Sequence, residues 1–167
     1  MSIEDYKKAL AKAQQAGDKP EQERQLRNLG WAYRQENDIP QALSAYNNAL
    51  TIAQSIGDQH NTASRLQDIA FLYSHSIKDL AQAKTYSEKA LTIARNIESD
   101  TLEANILRDL GDIYHRQSAY DQAKQYFQEA LDIAQRISDP RNEANRHYSL
   151  AKVALDEKDC TTLKHHI

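Results

Sequence analysis

The feature that most constrains this chain is that it repeats itself. Three segments superpose residue for residue. The first carries Leu26, Leu29, Gly30 and Tyr33, then Ala42, Tyr46, Ala49, Leu50, Ile52 and Ala53. The second carries Leu66, Ile69, Ala70 and Tyr73, then Ala83, Ser87, Ala90, Leu91, Ile93 and Ala94. The third carries Leu107, Leu110, Gly111 and Tyr114, then Ala123, Phe127, Ala130, Leu131, Ile133 and Ala134. The step is 40 residues from Leu29 to Ile69, 41 from Ile69 to Leu110 and 40 from Leu110 to Leu150. The additional residue falls near Ser76-Ile77-Lys78. A period of this size marks a supersecondary unit that cannot bury its apolar face alone and must stack on its neighbours. Inside each unit the apolar residues recur at three and four, the stripe of an amphipathic helix rather than the alternation of a strand. Each repeat is therefore a helix A followed by a helix B.

The boundaries and the small residues fit this reading. Asp18, Asp58 and Asp139 precede A helices and can accept hydrogen bonds from the free N–H groups of a first turn. Pro140 follows Asp139 directly, where its missing N–H costs nothing. Asp38 and Ser118 are the expected caps of B helices. Gly30, Ala70, Gly111 and Ala151 share one place in helix A; Ala42, Ala83 and Ala123 share one in helix B. Helices approach closely only where side chains leave room, so these places should form the A–B contact, with the larger residues filling the grooves on either side. Tyr33, Tyr73 and Tyr114 form one repeated core position.

This pattern resembles the tetratricopeptide repeat, whose usual signature is W-x2-L-G-x2-Y, then A-x3-F, then A. Leu replaces the first Trp, and the period is about 40 in place of 34. The longer period resembles the long-repeat branch, to which kinesin light chains and Rap-type regulators belong. The resemblance implies an all-α, right-handed superhelical solenoid of antiparallel helix pairs whose A helices line a concave groove.

The ends fall out of phase with the repeat. Tyr6, Ala9, Leu10 and Ala13 match Tyr46, Ala49, Leu50 and Ala53, so the sequence opens on a B helix. One domain over 1–167 is expected: helix B0 at 2–16, repeats at 19–56, 59–97 and 100–137, helix A4 at 140–157, and a tail at 158–167. Helix B0 presents Ile3, Tyr6 and Leu10 without a preceding A helix, which predicts weak self-association through the half-repeat ends.

Composition narrows the function class. The formal charge of -3 is small and the signs are mixed, which argues against a nucleic-acid binder. No run approaches the ~18 apolar residues of a membrane span. With one cysteine, Cys160, no internal disulfide forms, and a cytoplasmic location is the expectation. No H-E-x-x-H motif, zinc-ligand spacing or Gly-rich phosphate loop occurs. Cys160 with His165 and His166 is the nearest approach to a metal set, and a polar tail is the preferred reading. The expectation is a protein that is not an enzyme and needs no metal or cofactor, with a protein or peptide as its partner.

On the groove that the resemblance implies, the helical period selects five inward side chains per A helix. They are Arg24, Arg27, Asn28, Trp31 and Arg34 on A1, and Ser64, Gln67, Asp68, Phe71 and Ser74 on A2. A3 supplies Asn105, Arg108, Asp109, Asp112 and His115, and A4 supplies Asn145, Tyr148, Ser149, Lys152 and Leu155. Trp31 and Phe71 share one repeat place and are expected either to pack between A helices or to form an aromatic platform flanked by Arg27 and Arg108. The expected ligand is an acidic and apolar peptide laid along A1 to A3, with Asp68, Asp109 and Asp112 fixing its direction. The places of the carboxylate clamp used by chaperone-binding relatives hold Arg27 and Arg108, which suit a clamp, and Trp31, Phe71 and Asp112, which do not, so chaperone-tail binding is not expected. A structural scaffold, or a self-associating piece of a longer array, is the alternative.

Overall fold

The computed structural model describes residues 1–164, with side chains through 158. It is all-helical among these residues. The helices are α1 (Ile3–Gln15), α2 (Lys19–Gln35), α3 (Ile39–Ser55), α4 (Gln59–Phe71), α5 (Leu80–Asn96), α6 (Asp100–Arg116), α7 (Tyr120–Arg136) and α8 (Pro140–Lys164). A π-helical turn, Leu72–Ile77, extends α4. The chain forms two compact units, Met1–Ile93 and Ala94–Ile167.

Every turn uses one device. The residue after the last helical turn adopts a left-handed conformation, and in all but the turn before α5 the next N–H reaches back to the carbonyl five residues earlier. Asp18 N–H donates to Ala13 O (3.0 Å) past Gly17, and Asp58 N–H donates to Ala53 O (2.9 Å) past Gly57. That same aspartate then turns its carboxylate onto the following helix. Asp18 accepts from Glu21 N (3.0 Å), Asp38 from Gln41 N (3.2 Å), Asp58 from Asn61 N (2.9 Å) and Asp139 from Asn142 N (3.1 Å). One residue thus ends one helix and starts the next, which keeps the connections to about three residues. Ser118 is a correction to the sequence reading. It is the left-handed residue itself, at φ 58°, and Ala119 stands at the N-cap of α7 without a side-chain cap.

The additional residue of the second repeat is absorbed in the π turn. In the first and third repeats the tyrosine carbonyl accepts from the fifth residue on: Tyr33 O from Asp38 N, and Tyr114 O from Ala119 N. In the second, Tyr73 O accepts from Asp79 N, the sixth, at 2.9 Å. Widening one helical turn keeps the cap and its acceptor in register without disturbing the helices on either side.

The glycines of the A helices lie against the B helices, as expected, and what stands nearest them is a ring. Ala42, Ala83 and Ala123 are fully buried. A Cβ built on Gly30 would lie 2.6 Å from Tyr46, and one on Gly111 would lie 2.5 Å from Phe127. The equivalent residues of the second repeat are Ala70 and Ser87, both buried. Glycine accompanies a ring and alanine accompanies serine, so volume is conserved across the contact. Ala151 is exposed on α8, so it takes no part in such a contact. In the first unit Ala42, Tyr46, Ile69 and Leu72 form a core cluster; in the second, Ala123, Phe127 and Val153 do. Tyr33, Tyr73 and Tyr114 are only half-buried against these clusters. Tyr73 stacks on Tyr86 (5.4 Å between centroids) and Tyr114 on Tyr126 (5.3 Å).

Helix α8 runs on to Lys164, beyond the 157 at which the repeat pattern ends helix A4. His165 and His166 lie outside the described residues. No group of three or more His, Cys, Asp or Glu placed to hold a metal occurs among the described residues, and none of their helices is long and apolar enough to cross a membrane.

Candidate interaction site

In the first unit, α2 and α4 set their side chains around a pocket of about 290 Å³. Its walls are Arg27, Asn28, Trp31, Tyr46, Arg65 and Asp68. Arg27, Asn28, Trp31 and Asp68 come from the inward-facing set; Tyr46 and Arg65 do not. Residues 27, 28 and 31 fall together because three- and four-residue steps lie on one helix face. Trp31 is 50% exposed, so the half of the ring that does not pack against the helices is open to solvent.

Charge is layered in this pocket. Beneath it Arg65, 4% exposed, donates through Nη1 to Glu23 Oε1 at 3.0 Å. Its Nε lies 3.0 Å from Asp68 Oδ2 but off the N–H axis, an ion pair without a hydrogen bond. Burial pushes the Glu23 and Asp68 carboxyl pKa values up, against the pull of Arg65 and the other arginines. Burial, then Asp68, pushes the Tyr46 phenol up to about 12, so it stays a neutral donor. Above this layer stand Arg27 and Arg34. Arg27 donates to Asn28 Oδ1 (3.3 Å), and Arg34 lies 4.7 Å from the centre of the Phe71 ring. Neither makes an ion pair with a carboxylate among the described residues.

The other expected residues have different roles. Phe71 is no open platform: its ring stacks on His75 at 4.1 Å and carries Arg34. Arg24 is drawn to Glu21 at 2.6 Å. Gln67 is half-buried beside Asp68 in sequence, and Ser74, expected to face inward, is buried. In the second unit Arg108 pairs with the adjacent Asp109 at 2.7 Å, and His115 meets Asp156 of α8 at 2.7 Å. Asp112 is half-buried on α6. Arg108 and Asp109 answer each other within that helix.

Sequence reasoning missed Arg65, Glu23 and Tyr46. Arg65 stands next to Leu66 on the stripe that the repeat makes apolar, where the third repeat has Ile106. A charged residue on a buried stripe needs a partner, and that signal was available. Its partner, Glu23, is 42 residues away and could be identified only in three dimensions.

A tetratricopeptide repeat model matches the chain in four overlapping stretches, 1–55, 38–96, 62–136 and 102–160. No curated protein matches it by sequence. Among solved structures, BtubC (BKLC) from P. vanneervenii superposes with a TM-score of 0.80 at 21% identity, over 94% of this chain and 66% of that one. The apo form of RapI gives 0.84 at 19% identity, over 94% and 44%. A signal-transduction ATPase of the STAND class with a tetratricopeptide repeat sensor, from Pyrococcus horikoshii, gives 0.64 at 18%, over 90% and 26%. At these identities the likeness is one of fold. The chain spans just under two thirds of the first of these proteins and less than half of the other two.

Proposed function

The chain belongs to the tetratricopeptide repeat family, and from that premise we propose that it binds a peptide segment of another protein on the α2–α4 face of its first unit. The observation that carries this reading is a half-exposed Trp31 beside two arginines, Arg27 and Arg34, that have no carboxylate partner among the described residues. Tryptophan and arginine dominate binding hot spots, and an arginine not already paired keeps its full value for a partner's carboxylate. The ligand is a segment carrying acidic and apolar residues, with an apolar group on Trp31 and an acidic group on Arg27. Asp68 at the pocket floor disfavours a second anion there and sets the ligand's position along the face. Its role is recognition, not catalysis, and it acts in the cytoplasm.

The test is binding of a native partner by calorimetry, with Trp31→Ala and Arg27→Ala. Trp31→Ala should weaken affinity by ~2 kcal/mol or more. Arg27→Ala should weaken it and also flatten its salt dependence. Both variants must retain the wild-type circular dichroism spectrum. If both bind as tightly as the parent, this face is not the site.

Self-assembly is a second reading, favoured by α8, where Tyr148 is 73% and Leu155 60% exposed. Sedimentation that stays monomeric at high concentration removes it.

A further inference from the structure

A cavity of about 410 Å³ opens in the first unit where α3, α4 and α5 meet, and it shares no lining residue with the pocket around Trp31. Leu50, Leu66, Tyr86 and Ile93 give it an apolar wall, and the exposed Lys89 and Gln54 complete it. Thr92 also lines it, but its hydroxyl is spent on its own helix, donating to Glu88 O at 3.0 Å.

The repeat shows why this cleft is open. A step of 41 carries Gln54 to Arg95, and a step of 40 carries Lys89 to Glu129. In the second unit these two places are joined: Arg95 Nη2 donates to Glu129 Oε2 at 3.2 Å, and Arg95 Nε donates to Glu103 Oε1 at 2.8 Å. In the first unit the places of Glu129 and Glu103 hold Lys89 and Thr62, so both carboxylates are gone and no ion pair spans the cleft. Lys89 makes no ion pair among the described residues; its ammonium lies 5.6 Å from the centre of the Tyr86 ring. Neighbouring Glu88 leans to Lys84, at 3.8 Å.

An apolar cleft of this volume with one placed charge has the composition of a small-ligand site. No carboxylate lines it among the described residues, so nothing in its wall repels an anion. One ammonium suits a single negative charge; a phosphate group carries about two and would need a second cation. Three of the four apolar walls are aliphatic, which suits an alkyl body.

We propose that the cleft between α3, α4 and α5 binds an alkyl monocarboxylate of the fatty-acid class, its carboxylate on Lys89 and Gln54 and its chain against Leu50, Leu66, Tyr86 and Ile93. The site is separate from the peptide face of α2 and α4 and does not depend on it.

The test is methyl NMR of the full chain, titrated with octanoate below its micelle concentration. Octylammonium supplies the same body with the opposite charge, and acetate supplies the charge without the body. Octanoate should shift the Leu50 and Ile93 methyl signals saturably, octylammonium should bind there more weakly, and acetate should not shift them. Lys89→Met should weaken octanoate by about fivefold, the effect of losing one largely exposed ion pair, and should not weaken octylammonium. Gln54→Arg combined with Lys89→Glu, which installs the ion pair of the second unit, should abolish octanoate binding at these methyls. Trp31→Ala should leave it unchanged, which separates this cleft from the peptide face. The proposal is overturned if octanoate gives no saturable shift at Leu50 and Ile93, if octylammonium binds as tightly, or if Lys89→Met binds octanoate as the parent does. A shift of the same methyls on concentrating the protein without octanoate would place a second copy in the cleft and overturn it as well.

Discussion

Gly111→Ala isolates the contact on which the helix pairs depend. A Cβ at this place would lie 2.5, 2.7 and 2.9 Å from three atoms of the Phe127 ring. Carbon atoms in contact prefer about 3.5–4.0 Å, so the ring must retreat by about 1 Å. Phe127 is 1% exposed and packs with Ala123 and Val153, so the displacement is passed into the core of the second unit. Overpacking of this kind costs ~1–3 kcal/mol. Alanine gains ~1 kcal/mol over glycine in helix propensity. The two terms oppose each other, and the steric one should win by ~1 kcal/mol, lowering the melting temperature by ~2–4 °C. Gly111→Leu brings more volume to the same place and should lose ~3 kcal/mol or more. The second repeat supplies the rescue, because it pairs Ala70 with Ser87. Phe127→Ser should therefore cost less in the Gly111→Ala background than alone, with a coupling of ~0.5–3 kcal/mol. Urea melts of the four proteins measure the cycle. If Gly111→Ala is as stable as the parent, propensity alone governs the site and the ring contact has been misread.

Two further predictions concern charge and backbone. Arg65→Met leaves Glu23 buried without its cation and should cost ~3–5 kcal/mol at neutral pH. Burial raises the folded-state pKa of Glu23 and Asp68, so their contribution to stability falls as pH rises from the unfolded values through the folded ones. The gap between variant and parent should therefore narrow between pH 7 and pH 5, and an equal gap at both would refute the argument. Glu98 holds φ at 54° in the turn after α5, a conformation that costs a residue with a Cβ ~1–2 kcal/mol. Glu98→Gly should raise the melting temperature by a degree or more, net of the greater entropy glycine loses on folding; a lower value would mean that the Glu98 side chain matters more than its backbone.

The repeat made the helices legible because it is local information read three times. The spacing of Leu26, Leu29 and Tyr33 forces one helix face whatever the neighbours are, and a cap such as Asp58 acts only on residues three positions away. Even the additional residue of the second repeat could be located from sequence, since a shift of register must fall where the pattern pauses. Its form could not. A loop and a π turn have the same length, and the choice fell to the turn because Tyr73 O could keep its bond to Asp79 N.

What the sequence alone determined is therefore the all-helical repeat, the aspartate caps, and the face on which Arg27, Asn28, Trp31 and Asp68 stand together. Tertiary structure decided what those faces mean. It set rings upon Gly30 and Gly111, closed Phe71 between Arg34 and His75 while leaving Trp31 half open, and joined Arg65 to Glu23 across 42 residues. The physical reason is range. Helix period and capping act within one or two turns, so their rules can be read along the chain. Burial, and the pairing that a buried charge then requires, depend on which helix arrives opposite, and only packing settles that.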